Sequence, residues 1–202
     1  IRLCLDREEI FKTQLRAILR ASAFGQVKIM FPMIVNLEEL LRARELLTQA
    51  MAELDQRGEA YNRDIPVGIM IETPAAVLLS DVLAQHVDFF SIGSNDLIQY
   101  TTASDRMNEK VQHLYDSCNL SVLRAVRLVC DNARARGVDV GICGETASEP
   151  SLIPLWCAMG VNELSVAPAL VGRTKYVINQ TSKASMELEM QTLLAQGSIP
   201  AV

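Results

Sequence analysis

The chain has 202 residues, half of them apolar and 21% charged, with a net charge of −5. That length suits one domain with a sizeable core, and an acidic balance without a basic stripe leaves no footprint for nucleic acid. No apolar run approaches the ~18 residues of a membrane span, and no signal peptide opens the chain.

The first predicted element is a helix in LDREEIFKTQLRAILRAS, with Asp6 as its cap, Glu9 three residues on, and Ile10, Leu15, Ile18 and Leu19 along one face. VKIMFPM then reads as a strand ended by Pro32. A long amphipathic helix follows, from Asn36 to Gly58, with Leu37, Leu40, Leu41, Leu47, Met51 and Leu54 facing inward. PVGIMIETP is a strand, followed by a helix from about Ala75 to Gln85, and VDFFSIG is another strand. The polar stretch from Asn95 to Asn119 reads as a long functional loop with a short helix. SVLRAVRLVCDNARARG is a helix capped by Asn119 or Ser121 and ended by Gly137. VDVGICGE is a strand, PSLIPLWCAMG a helix and NELSVAP a strand. A helix from about Val171 and a polar tail close the chain.

The strands near residues 27, 67, 87, 138 and 162 are continuous apolar runs without alternation. Such strands are expected to be buried on both faces, as in parallel sheets covered by helices. Strict β-α alternation leaves an open doubly wound sheet or a (β/α)8 barrel. No GxGxxG follows any strand, which weighs against a dinucleotide fold. Glu72, Asn95, Asp96 and Cys143 all fall where apolar strands end, and barrel active sites gather at C-terminal strand ends. The expected fold is therefore a TIM barrel. Five strands do not close a barrel of eight, so the reading is of a partial barrel lacking its first strands. Residues 1–182 are assigned to it, and residues 183–202 to a C-terminal helix and tail.

Glu72 and Asp96 end consecutive strands, which a parallel barrel brings to one mouth. Two carboxylates that close repel unless they share a proton or a cation. Mg²⁺ suits such a pair, the remaining ligands being substrate and water oxygens; the alternative is that each merely caps a helix or pairs with a lysine. Arg106 offers a fork of donors fitted to phosphate or carboxylate, or is a surface arginine paired with Asp105. Asn95 either donates to a phosphoryl oxygen or closes a turn. Cys143, with Gly144 beside it to let the backbone approach a ligand closely, is either a tuned proton donor or inert packing. Cys4, Cys118, Cys130 and Cys157 lie in apolar contexts without CxxC spacing. They read as reduced thiols, consistent with a cytoplasmic protein. His86 and His113 lack ligand-like spacing and read as structural. Together the rim residues point to chemistry on an oxyanionic substrate.

The stretches QLRAILRASAFGQVKIMFPMI, VGIMIETPAA, VDFFSIGSNDLIQYTTASDRMNE and ICGE resemble the C-terminal, phosphoenolpyruvate-binding barrel of the enzyme I family. These are the phosphoenolpyruvate–protein phosphotransferases of the bacterial sugar phosphotransferase system; the module also occurs in fused multiphosphoryl transfer proteins. The resemblance implies that Glu72 and Asp96 bind Mg²⁺. It implies that Asn95, Asp96 and Arg106 hold phosphoenolpyruvate, and that Cys143 protonates the enolate as pyruvate forms. It further implies a phosphoryl-accepting histidine in a separate N-terminal domain, transfer onward to the phosphocarrier HPr, and a homodimer. Ser94, Ile98, Thr102, Ser104, Met107, Thr146, Ser148 and Glu149 depart from the family's usual motifs; none holds a role named above. Two other readings are a magnesium-dependent aldolase acting on pyruvate enolates, and a dimerisation or binding piece without turnover.

Overall fold

The computed structural model describes residues 1–195; the end of the predicted tail, residues 196–202, lies outside the described residues. Five strands form one parallel sheet: β1 (Ile29–Phe31), β2 (Val67–Ile71), β3 (Phe89–Gly93), β4 (Asp139–Cys143) and β5 (Glu163–Leu164). Their order across the sheet is the order of the chain. Ile69 lies opposite Phe90, Ile92 opposite Ile142 and Ile142 opposite Leu164. A doubly wound sheet reverses its order at a switch point; this one does not. Right-handed crossovers then place every connecting helix on one side, as in a barrel wall. The fold is α/β of the (β/α) barrel type.

The faces of the strands differ from expectation. Ile29, Phe31, Val67, Ile69, Ile71, Phe90, Ile92, Val140 and Ile142 join the core beneath the helices. The other face carries Met30, Phe89, Ser91, Gly141 and Glu163 around an open hollow of about 400 Å³. Only one face is covered among the described residues. Methionine, phenylalanine and glycine on the open face hide the alternation that the burial pattern reveals.

The first helix is two, α1 (Arg2–Asp6) and α2 (Glu8–Ala21). Arg7, at φ −122° and ψ 61°, breaks them, so Asp6 ends α1 and caps nothing. Phe11, Leu15 and Leu19 form the buried stripe of α2, recurring at i, i+4 and i+8 on one face. Ile10 falls off that stripe and is 65% exposed. Phe11 meets Phe31 of β1 edge-on, with ring centroids 5.8 Å apart.

The long helix α3 (Leu37–Arg57) opens with a reciprocal cap. Asn36 Oδ1 accepts the Glu39 N–H at 2.8 Å, and Glu39 Oε2 accepts the Val35 N–H at 2.8 Å. It ends at Gly58 with φ +68°. Leu40, Leu46, Leu47 and Leu54 are its buried leucines, while Leu41, expected inward, is exposed.

The next predicted helix is also split, into α4 (Pro74–Leu78) and α5 (Ser80–Leu83). Ser80 Oγ donates to the Val77 carbonyl at 2.7 Å, a local bond that competes with helix continuation. The short helix α6 (Ser94–Thr102) starts directly where β3 ends. Helix α7 (Leu120–Arg136) is capped by Asn119, whose side chain accepts the Ser121 N–H, and stops at Gly137 with φ +69°.

Helices α8 (Ile153–Met159), α9 (Val171–Gln180) and α10 (Lys183–Ala195) complete the outer layer. α10 packs against α8 and α7, burying Met190. The Arg124 guanidinium of α7 donates to the Leu194 carbonyl at 2.7 Å.

Two side chains repeat one task at the foot of the sheet. Asp88 Oδ2 accepts the Val67 N–H, and Asn162 Oδ1 accepts the Val140 N–H. Each residue precedes a strand and satisfies the first ladder donor of its neighbour. The alignment of strand ends at the opposite, functional rim begins here.

Candidate functional site

The chain leaves β1 through Pro32 into Met33, a non-glycine residue at φ +54°. That left-handed turn costs on the order of 1 kcal/mol. It directs the Met33 N–H to Glu72 Oε1 at 2.6 Å. Glu72 follows β2 directly and is only 4% exposed. Burial pushes its carboxyl pKa up; the Met33 N–H opposes this, and the Asp96 carboxylate adds to it.

Gly93, the last residue of β3, makes room for this arrangement. A Cβ there would lie 2.8 Å from Met70 Sδ and 2.9 Å from Glu72 Oε2. Helix α6 starts at the strand end without a side-chain cap, and a helix start favours an anion. Asn95 and Asp96 occupy the first turn of α6.

β4 delivers Cys143. Its Sγ lies 3.5 Å from the Ile92 carbonyl and 3.9 Å from Ser91 Oγ. Burial raises the thiol pKa; the Ser91 hydroxyl opposes the shift, and Glu72 and Asp96 reinforce it. The group is thus a neutral thiol with a proton to give, not a thiolate. Gly144, at φ +90°, brings β4 close to α6: a Cβ there would sit 2.5 Å from Ser94 Oγ and 2.8 Å from Asn95 Oδ1. The close approach expected at Gly144 is therefore to the protein's own helix start. Ser94 Oγ donates to the Cys143 carbonyl at 2.7 Å, and the Glu145 N–H donates to Asn95 Oδ1 at 3.1 Å.

Arg106 lies on the loop after α6. Its partner is not Asp105, whose Oδ1 accepts the Met107 N–H, but Glu145, with Nη1 3.9 Å from Oε1. Tyr115, further along the loop, donates its hydroxyl to the Asn95 carbonyl at 3.2 Å. Glu149, one of the departures noted above, lines a hollow of about 250 Å³ with Tyr115, Ser117, Glu145 and Thr146.

The five residues singled out in the sequence thus share the C-terminal rim of β2, β3 and β4. Glu72 and Asp96 follow the ends of β2 and β3 and Cys143 ends β4, while Asn95 and Arg106 both meet Glu145, one at its N–H and the other at its carboxylate. Two hard oxygen donors at the ends of neighbouring strands, Glu72 buried and Asp96 half-buried, fit a divalent cation. Among the described residues no cluster of three or more His, Cys, Asp or Glu that could hold a metal is present, so substrate and water oxygens would complete a shell. Met33, Ser91, Ser94, Tyr115 and Glu145 are absent from the sequence-based site. Tyr115 alone carried a signal, as an aromatic in the polar loop near His113; Met33, Ser91 and Ser94 act through a backbone group or small hydroxyls, and Glu145 through its N–H and an exposed carboxylate.

A one-way parallel α/β sheet with its polar groups at the C-terminal strand ends defines a barrel-type enzyme site. A solved structure described as a citrate lyase from Burkholderia xenovorans shares the fold, with a TM-score of 0.59 and 19% identity, over 90% of this chain and 58% of that one. The family model for the phosphoenolpyruvate-binding domain of phosphoenolpyruvate-utilising enzymes matches residues 1–183, and the chain belongs to that family.

Proteins named phosphoenolpyruvate-protein phosphotransferase are similar along the chain. That of Priestia megaterium is 45% identical over all 202 residues, and that of Bacillus subtilis 43% over the same span. That of Listeria monocytogenes is 46% identical over 186 residues. The chain spans about a third of the length of these relatives, 35% of the first two and 32% of the third.

Proposed function

We propose that the chain is the phosphoenolpyruvate-binding portion of a phosphoenolpyruvate–protein phosphotransferase serving sugar uptake in the cytoplasm. The carrying observation is the match to proteins of that name along the whole chain. In the reaction the bond from phosphorus to the enol oxygen breaks. A bond from phosphorus to a histidine nitrogen of an N-terminal domain forms. The enolate takes a proton at its terminal carbon and leaves as pyruvate, and the phosphoryl group moves on to HPr. Residues 1–182 form the barrel portion, followed by the C-terminal helix Lys183–Ala195, in a protein that acts as a homodimer.

The assigned roles follow from the chemistry of each group. The Asn95 amide, the first-turn N–H groups of α6 and the Arg106 guanidinium receive the phosphoryl and carboxylate oxygens. Cys143 keeps its proton at neutral pH, because burial beside two carboxylates disfavours the thiolate, and so holds it for the enolate carbon. Glu72 and Asp96 would hold Mg²⁺, with Met33 orienting the Glu72 carboxylate. When bound, that ion would offset their mutual repulsion and polarise the oxyanionic substrate.

The test uses the intact protein with phosphoenolpyruvate labelled at phosphorus. Label on a protein histidine together with released pyruvate is expected. Cleavage of oxo-acids without label transfer would replace this reading with the aldolase. Cys143→Ala should slow pyruvate formation by about 100-fold or more and leave phosphoenolpyruvate binding nearly unchanged. A comparable loss of binding would remove Cys143 from the proton-donor role.

A further inference from the structure

Asn95 is tied at two points by other parts of the chain. Its Oδ1 accepts the Glu145 N–H at 3.1 Å, and its main-chain carbonyl accepts the Tyr115 hydroxyl at 3.2 Å. An N–H pairs only with the oxygen end of an amide, so the first contact fixes the amide's orientation and leaves Nδ2 to donate. The second pins the backbone of the turn that carries both Asn95 and Asp96.

Burial favours the neutral phenol of Tyr115. A neutral phenol keeps the proton that it donates to the Asn95 carbonyl.

We infer that Tyr115 is a positioning residue, whose hydroxyl holds the turn that carries Asn95 in place for a phosphoryl-bearing ligand. The inference rests on the phosphoenolpyruvate reading. Tyr115 acts without touching the ligand: it ties the start of α6 to the loop that follows it. Without it, Asn95 would bind the ligand only after being ordered.

The experiment is Tyr115→Phe in the intact protein, with phosphoenolpyruvate titrated at saturating Mg²⁺. The ring stays, so the thermal midpoint should hold to within about 2 °C. The KM for phosphoenolpyruvate is expected to rise about fivefold to tenfold, the loss of one modest hydrogen bond, with kcat changed less than twofold. Combined with Asn95→Ala, the two losses should be less than multiplicative, since the hydroxyl acts partly through Asn95. Fully multiplicative losses, or a lowered thermal midpoint with unchanged KM, would reduce Tyr115 to a structural role and overturn the inference. Failure of the unaltered protein to turn over phosphoenolpyruvate would instead overturn the reading beneath it, and the inference with it.

Discussion

Glu72 shows how a single carboxylate can be foreseen and its setting missed. An acidic residue closing the apolar run VGIMI has no reason to be there for packing, so its chemistry is legible. Met33, which orients it, leaves no trace in composition, because a left-handed methionine looks like any other. Gly93 is intermediate: a glycine at a strand end is visible, but that Glu72 occupies the space above it is not. Gly93→Ala would drive a methyl group into that carboxylate, and we expect Mg²⁺ affinity to fall at least about tenfold by titration calorimetry. Unchanged affinity would take Glu72 out of the metal site.

Cys130 gives a prediction of another kind. It is buried in α7 with its pKa raised to about 12 by desolvation. Above about pH 9 the unfolded chain loses this proton while the folded chain keeps it, so the folded state binds more protons and stability falls as pH rises. The slope approaches ~1.4 kcal/mol per pH unit between about pH 9 and the folded value. Denaturant melts of Cys130→Ala should lose that component of the slope relative to the unaltered protein; parallel curves would contradict it.

At the scale of elements, the boundaries written in side-chain chemistry were the readable ones. Asn36, Asn119, Gly58 and Gly137 mark helix ends in the sequence and do so in the structure. The breaks at Arg7 and around Ser80 were not readable: one is a backbone choice by an ordinary residue, the other a local hydroxyl bond. β5 is two residues long where seven were expected, because Ala167 and Pro168 enter a tight turn and proline has no N–H for a ladder. Asn36→Ala removes one half of the reciprocal cap on the longest helix and should cost ~1 kcal/mol, measurable as a lower denaturation midpoint with unchanged slope. Asn36→Asp should restore most of it.

For the whole molecule, β-α alternation left a doubly wound sheet or a barrel, the polar residues at strand ends favoured the barrel, and the one-way strand order agrees with it. The family resemblance narrowed the function; periodicity alone left an oxyanion-handling site of unnamed chemistry. The open face, lined by Met30 and Phe89, was illegible because apolar residues occupy both sides of the strands.

The strand order also bears on how the polypeptide acquires its shape during synthesis. Each of β2 to β5 pairs with the strand made just before it, so none of these four must wait for a later partner to emerge from the ribosome. Growth can proceed by accretion, each new strand and helix settling on a finished edge, with entropic closure costs that stay small and nearly equal from one step to the next.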